Sequence, residues 1–307
     1  MQPLRGIFFK VISVCVFMAM ASLIKAASDE VPPGQAVFFR SFFALPIILG
    51  WLAMRHELRT GWRTSNPMGH IWRGLVGTSA MGLGFTGLGL LPLPEVTAIG
   101  YAAPLLVVIF AAMFLGEEVR AFRLSAVALG MAGVLIVISP RLSVDASVTA
   151  SETLGAIVVL MGAMLAALAQ VFVRKLVQTE GTAAIVFWFS ITSSIMALFT
   201  LPWGWVVPSW SVVLMLVMAG LMGGIGQIFL TSSYRFADAS LVAPFDYTSM
   251  LLALVIGYFI FDEAPTGTML IGASIVIFAG VLIIWRERQL GLQRAQQRKA
   301  MGHLGGK

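Results

Sequence analysis

Polar breaks divide the chain into ten apolar stretches, each close to the ~20 residues that a helix needs to cross ~30 Å of hydrocarbon. The stretches cover residues 6–25, 34–54, 71–91, 94–115, 122–139, 154–174, 182–201, 210–233, 239–261 and 267–285. The pattern therefore predicts an all-α membrane protein with ten transmembrane helices.

The basic residues predict the orientation of these helices. With the N-terminus in the cytoplasm, seventeen of the twenty lysines and arginines fall on the cytoplasmic side, and only Lys25 and Arg141 fall outside. This bias is typical of membrane proteins, and it predicts that both termini are cytoplasmic in a bacterial inner membrane. A cleaved signal peptide is the alternative reading of the first stretch, because KAAS follows it. Cleavage would leave nine spans and spoil the charge pattern.

The composition agrees with lipid as the solvent. Of the 307 residues, 59% are hydrophobic and 11% are charged, whereas a soluble domain has about 25% charged residues. One cysteine, Cys15, excludes an intramolecular disulfide, and three dispersed histidines do not suggest a metal site. No cofactor is expected. The basic tail, residues 286–307, fits an anchor beside anionic membrane lipid better than a nucleic-acid site.

Residues 82–87 contain a literal G-x-G-x-x-G, formed by Gly82, Gly84 and Gly87. A dinucleotide-binding loop would follow a strand and have an acidic residue about 20 positions later. Here the motif lies inside an apolar run, and Glu95 follows only eight residues after Gly87. We therefore expect these glycines to allow close helix packing or to expose backbone to a cavity. A similar glycine cluster at 219–227 suggests an internal repeat.

Matching residues support that repeat. Glu117 and Glu263 are 146 positions apart, and the GVLI runs that begin at Gly133 and Gly280 are 147 apart. We predict two five-helix repeats, 6–139 and 154–285. Because five is odd, the second repeat enters the membrane from the opposite side. Inverted repeats are typical of secondary transporters, with the substrate site between the halves.

Three segments resemble a known family: FFRSFFALP, LPLPEVTAIGYAAPLLVVIFAAMFLGEE and RFADASLVAPFDYTSMLLALVIGYFIFDEAPT. Over roughly residues 6–285 the chain resembles the EamA branch of the drug/metabolite transporter superfamily. The resemblance implies a central cavity between spans one to four and six to nine, with spans five and ten as scaffold. Family substrates include amino acids, purines, S-adenosylmethionine and riboflavin. Glu117 and Glu263 match the family's acidic residue, and we interpret both as structural.

Charged residues inside a span usually face protein or water, and two stand out. Arg40 in the second span is a candidate for binding an anionic or carbonyl group of the solute. Asp246 in the ninth span is a candidate for binding a cation or a coupling proton. The alternative for both is that they satisfy helix ends or pair with other buried polar groups. Pro104 and Pro244 lie at matching points of the fourth and ninth spans, which predicts hinges or, alternatively, harmless bends.

A few polar and aromatic residues lie at membrane depth: Tyr101, Gln170, Trp188, Gln227 and Tyr234. We predict a site near the midplane, formed by Arg40, Trp188, Gln227, Asp246 and Tyr247. An aromatic and amide lining suits a planar, hydrogen-bonding solute. Ordinary helix packing is the alternative for each residue.

These observations favour a secondary transporter that works by alternating access. Its small-molecule solute is expected to be riboflavin or a similar planar metabolite, with S-adenosylmethionine or an amino acid as alternatives. A membrane enzyme is disfavoured because no catalytic grouping is recognisable, and an ATP-driven pump because no G-x-x-x-x-G-K-[ST] occurs. A homodimer is possible, with Gly130 and Gly133 as a close-packing face.

Overall fold

The computed structural model describes residues 3–115, 121–142, 149–237 and 242–304, and these contain helices and no strand. The α-helices are α1 (Pro3–Ala27), α2 (Pro33–Phe42), α3 (Ala44–Met54), α4 (Pro67–Leu90), α5 (Leu93–Gly100), α6 (Ala102–Leu115), α7 (Ala121–Ile138), α8 (Ala150–Leu176), α9 (Thr182–Leu198), α10 (Trp210–Phe236), α11 (Thr248–Phe261) and α12 (Gly267–Leu304). Short 3₁₀-helices cover Ser139–Leu142, Leu201–Trp203 and Ala243–Tyr247.

These helices form ten membrane spans. Seven segments are long and apolar enough to cross a bilayer, and α9 and Phe245–Phe261 are shorter apolar helices. The remaining span is α4, whose 24 residues extend about 36 Å at the usual rise per residue. The protein is thus a multi-pass membrane protein, and the predicted ten-helix all-α architecture is confirmed.

Proline explains why two spans are each built from two helices. The second span breaks at Phe43, three residues before Pro46, and the fourth breaks at Tyr101, three residues before Pro104. Proline has no N–H to donate to the carbonyl one turn earlier, so the helix is interrupted there. Pro244 falls in the 3₁₀-helix that precedes α11. Helical irregularities therefore lie beside both prolines that the sequence singled out.

Helix packing has the symmetry of two exchanged halves. The first span, α1, lies along the eighth, α10, and the third, α4, lies along the sixth, α8. Exchanging the halves converts one of these pairs into the other. The fifth and tenth spans, α7 and α12, also pack together, as do α2 and α9 of the second and seventh spans.

The turn after the first helix of each half repeats the same hydrogen bond. The Val31 N–H donates to the Ala27 carbonyl (3.1 Å), and the Glu180 N–H donates to the Leu176 carbonyl (2.8 Å). Both residues of the second pair lie 149 positions after those of the first. The turn after the first helix therefore has the same local geometry in both halves.

Glycine allows close packing of α4 on α8. A Cβ added at Gly87 would lie 2.1 Å from Val159 Cγ2, so any side chain there would force Val159 to move. By contrast, Gly82 and Gly84 have no such neighbour within 4 Å. Of the three glycines in the motif, Gly87 serves helix packing, as lipid-embedded helices require.

Gly130 and Gly133 also serve packing within the chain. A Cβ at Gly133 would lie 2.8 Å from the Gly272 carbonyl oxygen, and one at Gly130 would lie 3.2 Å from Ala279 Cβ. These glycines hold α7 against α12. The face that the sequence offered for a homodimer is therefore already covered by α12, and these two glycines give a dimer no support.

A hydrogen-bonded cluster ties two loops together at the side predicted to be cytoplasmic. The Glu180 carboxylate accepts hydrogen bonds from the Ser65 N–H and hydroxyl (both 2.8 Å), from the Thr64 hydroxyl (3.0 Å) and from the Asn66 N–H (3.0 Å). Burial alone would raise the pKa of Glu180, but these hydrogen bonds outweigh it and lower that pKa. Arg235 of α10 donates to the Glu180 carbonyl at 2.9 Å.

Candidate functional site

A cavity of about 880 Å³ lies between the two halves. Its volume falls within the range of roughly 300–1,000 Å³ that is usual for small-molecule sites. Described residues from eight spans line it, the first to fourth and the sixth to ninth, and none comes from α7 or α12. The division into a cavity wall and a two-helix scaffold agrees with what the family resemblance implied.

The cavity reaches one side of the membrane. Its lining extends to Arg174 and to the exposed Gln178 after α8, and to Tyr234 and Ala237 at the end of α10. These ends belong to the side predicted to be cytoplasmic.

An ion pair closes the opposite end. Lys25 Nζ, at the end of α1, lies 2.7 Å from Glu263 Oε1, and the side chains are only 13% and 16% exposed. Lys25 also donates to the Leu91 carbonyl at 2.9 Å and to the Leu88 carbonyl at 3.2 Å. Glu263 Oε2 in turn accepts from the Leu93 N–H at 2.8 Å. These contacts join the first, third and fourth spans to the loop between the ninth and tenth.

Two further polar contacts join the halves at the same end. Arg141 donates to Glu95 of the fourth span at 2.8 Å and lies 3.0 Å from Glu152 of the sixth. The Gln35 amide donates to the Val206 carbonyl at 2.9 Å and accepts from its N–H at 3.1 Å. The closed end thus contains a set of paired charges and satisfied amides.

Four of the residues predicted from the sequence line the cavity: Arg40, Pro104, Gln227 and Asp246. The structure does not bring Trp188 there, because its indole N–H donates to the Trp62 carbonyl (2.8 Å) in the loop before α4. Tyr247 is also absent from the lining, since its hydroxyl packs against Gly280 of α12.

Asp246 is paired rather than free. Its Oδ1 lies 2.7 Å from Nζ of Lys10, a side chain of α1 that is buried in the protein. Lys10 Nζ also lies 3.5 Å from the Tyr234 hydroxyl. The alternative interpretation, in which Asp246 pairs with a buried polar group, therefore describes this conformation.

Sequence reasoning missed Lys10 and Arg73 as cavity residues. Both were counted with the cytoplasmic flanking charges, although they lie inside the apolar stretches 6–25 and 71–91. Their place inside a span was the available signal, because a basic residue at membrane depth is rarely incidental.

Arg40 and Arg73 converge on one aromatic ring. The guanidinium carbon of Arg73 lies 3.8 Å from the Phe189 ring centroid, and that of Arg40 lies 5.4 Å from it. Nearby, the Tyr101 hydroxyl is 2.7 Å from the Ser249 hydroxyl and donates to the Asp246 carbonyl at 3.2 Å. The cavity thus combines cationic, aromatic and hydroxyl groups.

Glu263 has a structural contact, as expected, whereas Glu117 lies outside the described residues.

A cavity with a few charged and hydroxyl groups between two exchanged helical halves is the architecture of a secondary transporter. The family model described as the EamA-like transporter family matches residues 4–139 and 153–286. The chain belongs to this family, so it is a membrane transporter of the drug/metabolite transporter superfamily and not an enzyme.

Several curated proteins are similar along most of their length. An S-adenosylmethionine uptake transporter of Rickettsia felis is 26% identical, over 93% of this chain and 94% of the relative. The pseudopaline exporter CntI of Pseudomonas aeruginosa is 28% identical, over 91% and 95%. A riboflavin transporter of Rhizobium johnstonii is 28% identical, over 83% and 82%. A solved crystal structure at 20% identity covers 93% of this chain and 98% of its own, with a TM-score of 0.66, and has the same fold.

Proposed function

We propose that this protein carries a small metabolite across a bacterial inner membrane by rocking its two repeats, 6–139 and 154–285, against each other. The observation that carries the proposal is the cavity, which reaches one side of the membrane and is closed at the other by the Lys25–Glu263 pair. With both termini in the cytoplasm, this is the conformation open to the cytoplasm. The helical interruptions beside Pro104 and Pro244 are the proposed hinges.

We further propose that the Lys10–Asp246 pair couples transport to protons. In the present conformation the ammonium balances the carboxylate across 2.7 Å. Separation of α1 from the ninth span would leave Asp246 without that partner, and a charge without a partner inside a span is costly.

The variant Asp246→Asn tests this coupling. It cannot take up a proton, so uptake into proteoliposomes should lose its dependence on an imposed pH gradient while downhill exchange of solute persists. Gradient-driven uptake equal to that of the unmodified protein would refute the coupling role. A folded, monodisperse preparation of the variant is the necessary control.

Two solutes are the leading candidates. Phe17, Tyr101, Phe189 and Tyr234 line the cavity and favour a solute with a planar ring. Riboflavin and S-adenosylmethionine both contain one, and relatives named for each occur at about the same identity. Riboflavin is uncharged, whereas S-adenosylmethionine carries an amino-acid carboxylate.

The experiment is uptake of labelled riboflavin by a bacterial strain that cannot make it, with and without this protein. Labelled S-adenosylmethionine and an amino-acid mixture run beside it, and inverted vesicles test each solute for export. Saturable flux of one solute, competed only by its close analogues, would identify the substrate. Absence of flux in both directions for every solute, with the protein present in the membrane, would count against all the candidates.

A further inference from the structure

Two buried arginines face the cavity without a partner of opposite charge. Arg40 of α2 is 3% exposed, Arg73 of α4 is 6% exposed, and both line the cavity. Among the described residues, no carboxylate lies within ion-pair distance of either guanidinium. The Nε and Nη1 atoms of both are buried and have no hydrogen-bond partner in that part of the chain.

Two buried arginines without a counter-ion are energetically costly unless a group of opposite charge binds to them. Burying a cation carries a large desolvation cost even after the protein relaxes, and each guanidinium leaves donors unused. Phe189 is the described group that offsets part of this cost, through its ring face. A cation–π contact is weaker than the desolvation cost of a buried cation, so the cost of burying the two cations is only partly offset.

The backbone is shaped around both guanidinium groups. A Cβ at Gly77, one turn after Arg73, would lie 2.0 Å from Arg73 Nη1. A Cβ at Gly223 of α10 would lie 2.9 Å from Arg40 Nε. Glycine thus occupies the positions where a larger residue would push the arginines away. Glycine at both positions therefore leaves room for the two guanidinium groups.

The remaining charges of the cavity do not supply a counter-ion. Asp246 is the acidic residue among the described lining residues, and its Oδ1 is already paired with Lys10 Nζ at 2.7 Å. Arg174, near the cytoplasmic end, adds a further positive charge to the lining. The described lining is therefore net positive, and the excess is concentrated at Arg40 and Arg73.

We propose that Arg40 and Arg73 form a subsite for an anionic group, a carboxylate or a phosphate, of the transported solute. The inference rests on the proposed transport function and narrows its substrate class. Planar guanidinium groups match the geometry of carboxylate and phosphate oxygens, and hydrogen bonds between such charged groups are strong. The solute thus completes a charge balance that the protein alone lacks.

Matched ligand pairs test the subsite in purified protein, kept in neutral detergent free of anionic lipid. S-adenosylmethionine is compared with its decarboxylated form, riboflavin 5′-phosphate with riboflavin, and benzoate with benzamide. Binding is measured by the ligand-dependent rise in melting temperature. In at least one pair the anionic member should bind about tenfold tighter or more, the factor expected from one hydrogen bond between charged groups.

The variants Arg40→Met and Arg73→Met should each abolish this preference. Lys175→Met is the matched control, because it also removes one positive charge but lies exposed and outside the cavity lining; it should retain the preference. Without ligand, the two arginine variants should melt at or above the temperature of the unmodified protein, since an unpaired buried charge is removed.

Three results of the melting assay would overturn the subsite: equal or absent stabilisation by both members of every pair, a preference that survives both arginine variants, or lower melting temperatures for both variants without ligand. The last result would show that the arginines are structural. Transport of a neutral solute, unaffected by either variant, would reject the subsite and leave the transporter intact. Anion-selective binding without flux in either direction would instead reject the proposed transport function.

Discussion

Removal of the Lys25 ammonium is expected to open the end of the cavity that is closed in this structure. The variant Lys25→Met keeps an unbranched stem but loses the contact with Glu263 (2.7 Å) and the hydrogen bonds to the Leu91 and Leu88 carbonyls (2.9 and 3.2 Å). Glu263 then retains only the Leu93 N–H as its described hydrogen-bond donor. The closed state loses these contacts, whereas an open state does not depend on them.

The magnitude follows from the burial of the pair. Hydrogen bonds to charged groups contribute about 1.5–3 kcal/mol each when buried. Because both side chains are partly exposed, water recovers part of that loss, and we expect a net shift of about 2–3 kcal/mol. This corresponds to a roughly 30- to 150-fold change in the ratio of closed to open protein.

Spin labels can measure that ratio. After Cys15→Ser, cysteines at the exposed positions Asp29 and Ala264 carry labels on the two sides of the closed end. Electron–electron double resonance should show a longer distance population in Lys25→Met. Arg55→Met is the control, because it breaks the exposed Arg55–Glu57 pair at 3.1 Å, and exposed pairs contribute little. An unchanged distance distribution in folded Lys25→Met protein would refute the closure role.

Three further predictions concern stability. Hydrogen bonds lower the pKa of Glu180 below its ordinary value of 4.5, so they stabilise the fold above pH 4.5, and this contribution is lost as the pH falls through the lowered pKa. In thermal melts, Glu180→Gln should be about 1–3 kcal/mol less stable than the unmodified protein at pH 7, and its stability should decline less on acidification. Equal declines in stability would contradict this. Gly87→Leu should destabilise the contact between α4 and α8 by about 1–3 kcal/mol, whereas Gly82→Leu should have a small effect because Gly82 has open space around it. Similar losses of melting temperature in the two variants would show that packing of α4 on α8 is not the reason for glycine at position 87. Gly133→Leu should likewise lower the melting temperature without changing the oligomeric state in a sizing column, because this glycine packs inside the chain, and a change of oligomeric state alone would reverse that assignment.

The sequence was sufficient for the membrane architecture because the physical demands of lipid act locally. Each span must satisfy its own backbone hydrogen bonds and present an apolar surface, so it leaves a continuous signal along the chain. The inverted repeat could also be predicted from the sequence, since the pairs Glu117/Glu263 and Gly133/Gly280 have nearly the same offset, 146 and 147 positions. Proline residues marked the positions where helices are interrupted for the same local reason.

The candidate site could be predicted from the sequence only in part. Arg40 and Asp246 attract attention because a charge is rare at membrane depth. Lys10 and Arg73 carry the same signal, but they lie near span boundaries, where a flanking charge and a buried one look alike. Trp188 shows the opposite error, because depth in the membrane does not reveal which face of a helix a side chain occupies.

The sequence by itself determined that this chain is a ten-helix membrane transporter with two inverted halves. Only the tertiary structure decided that Lys10 neutralises Asp246, that Lys25 and Glu263 close one end, and that two arginines share Phe189. The physical reason is that hydrophobic patterning depends on neighbours along the chain, whereas the balance of buried charges depends on which helices meet across the cavity.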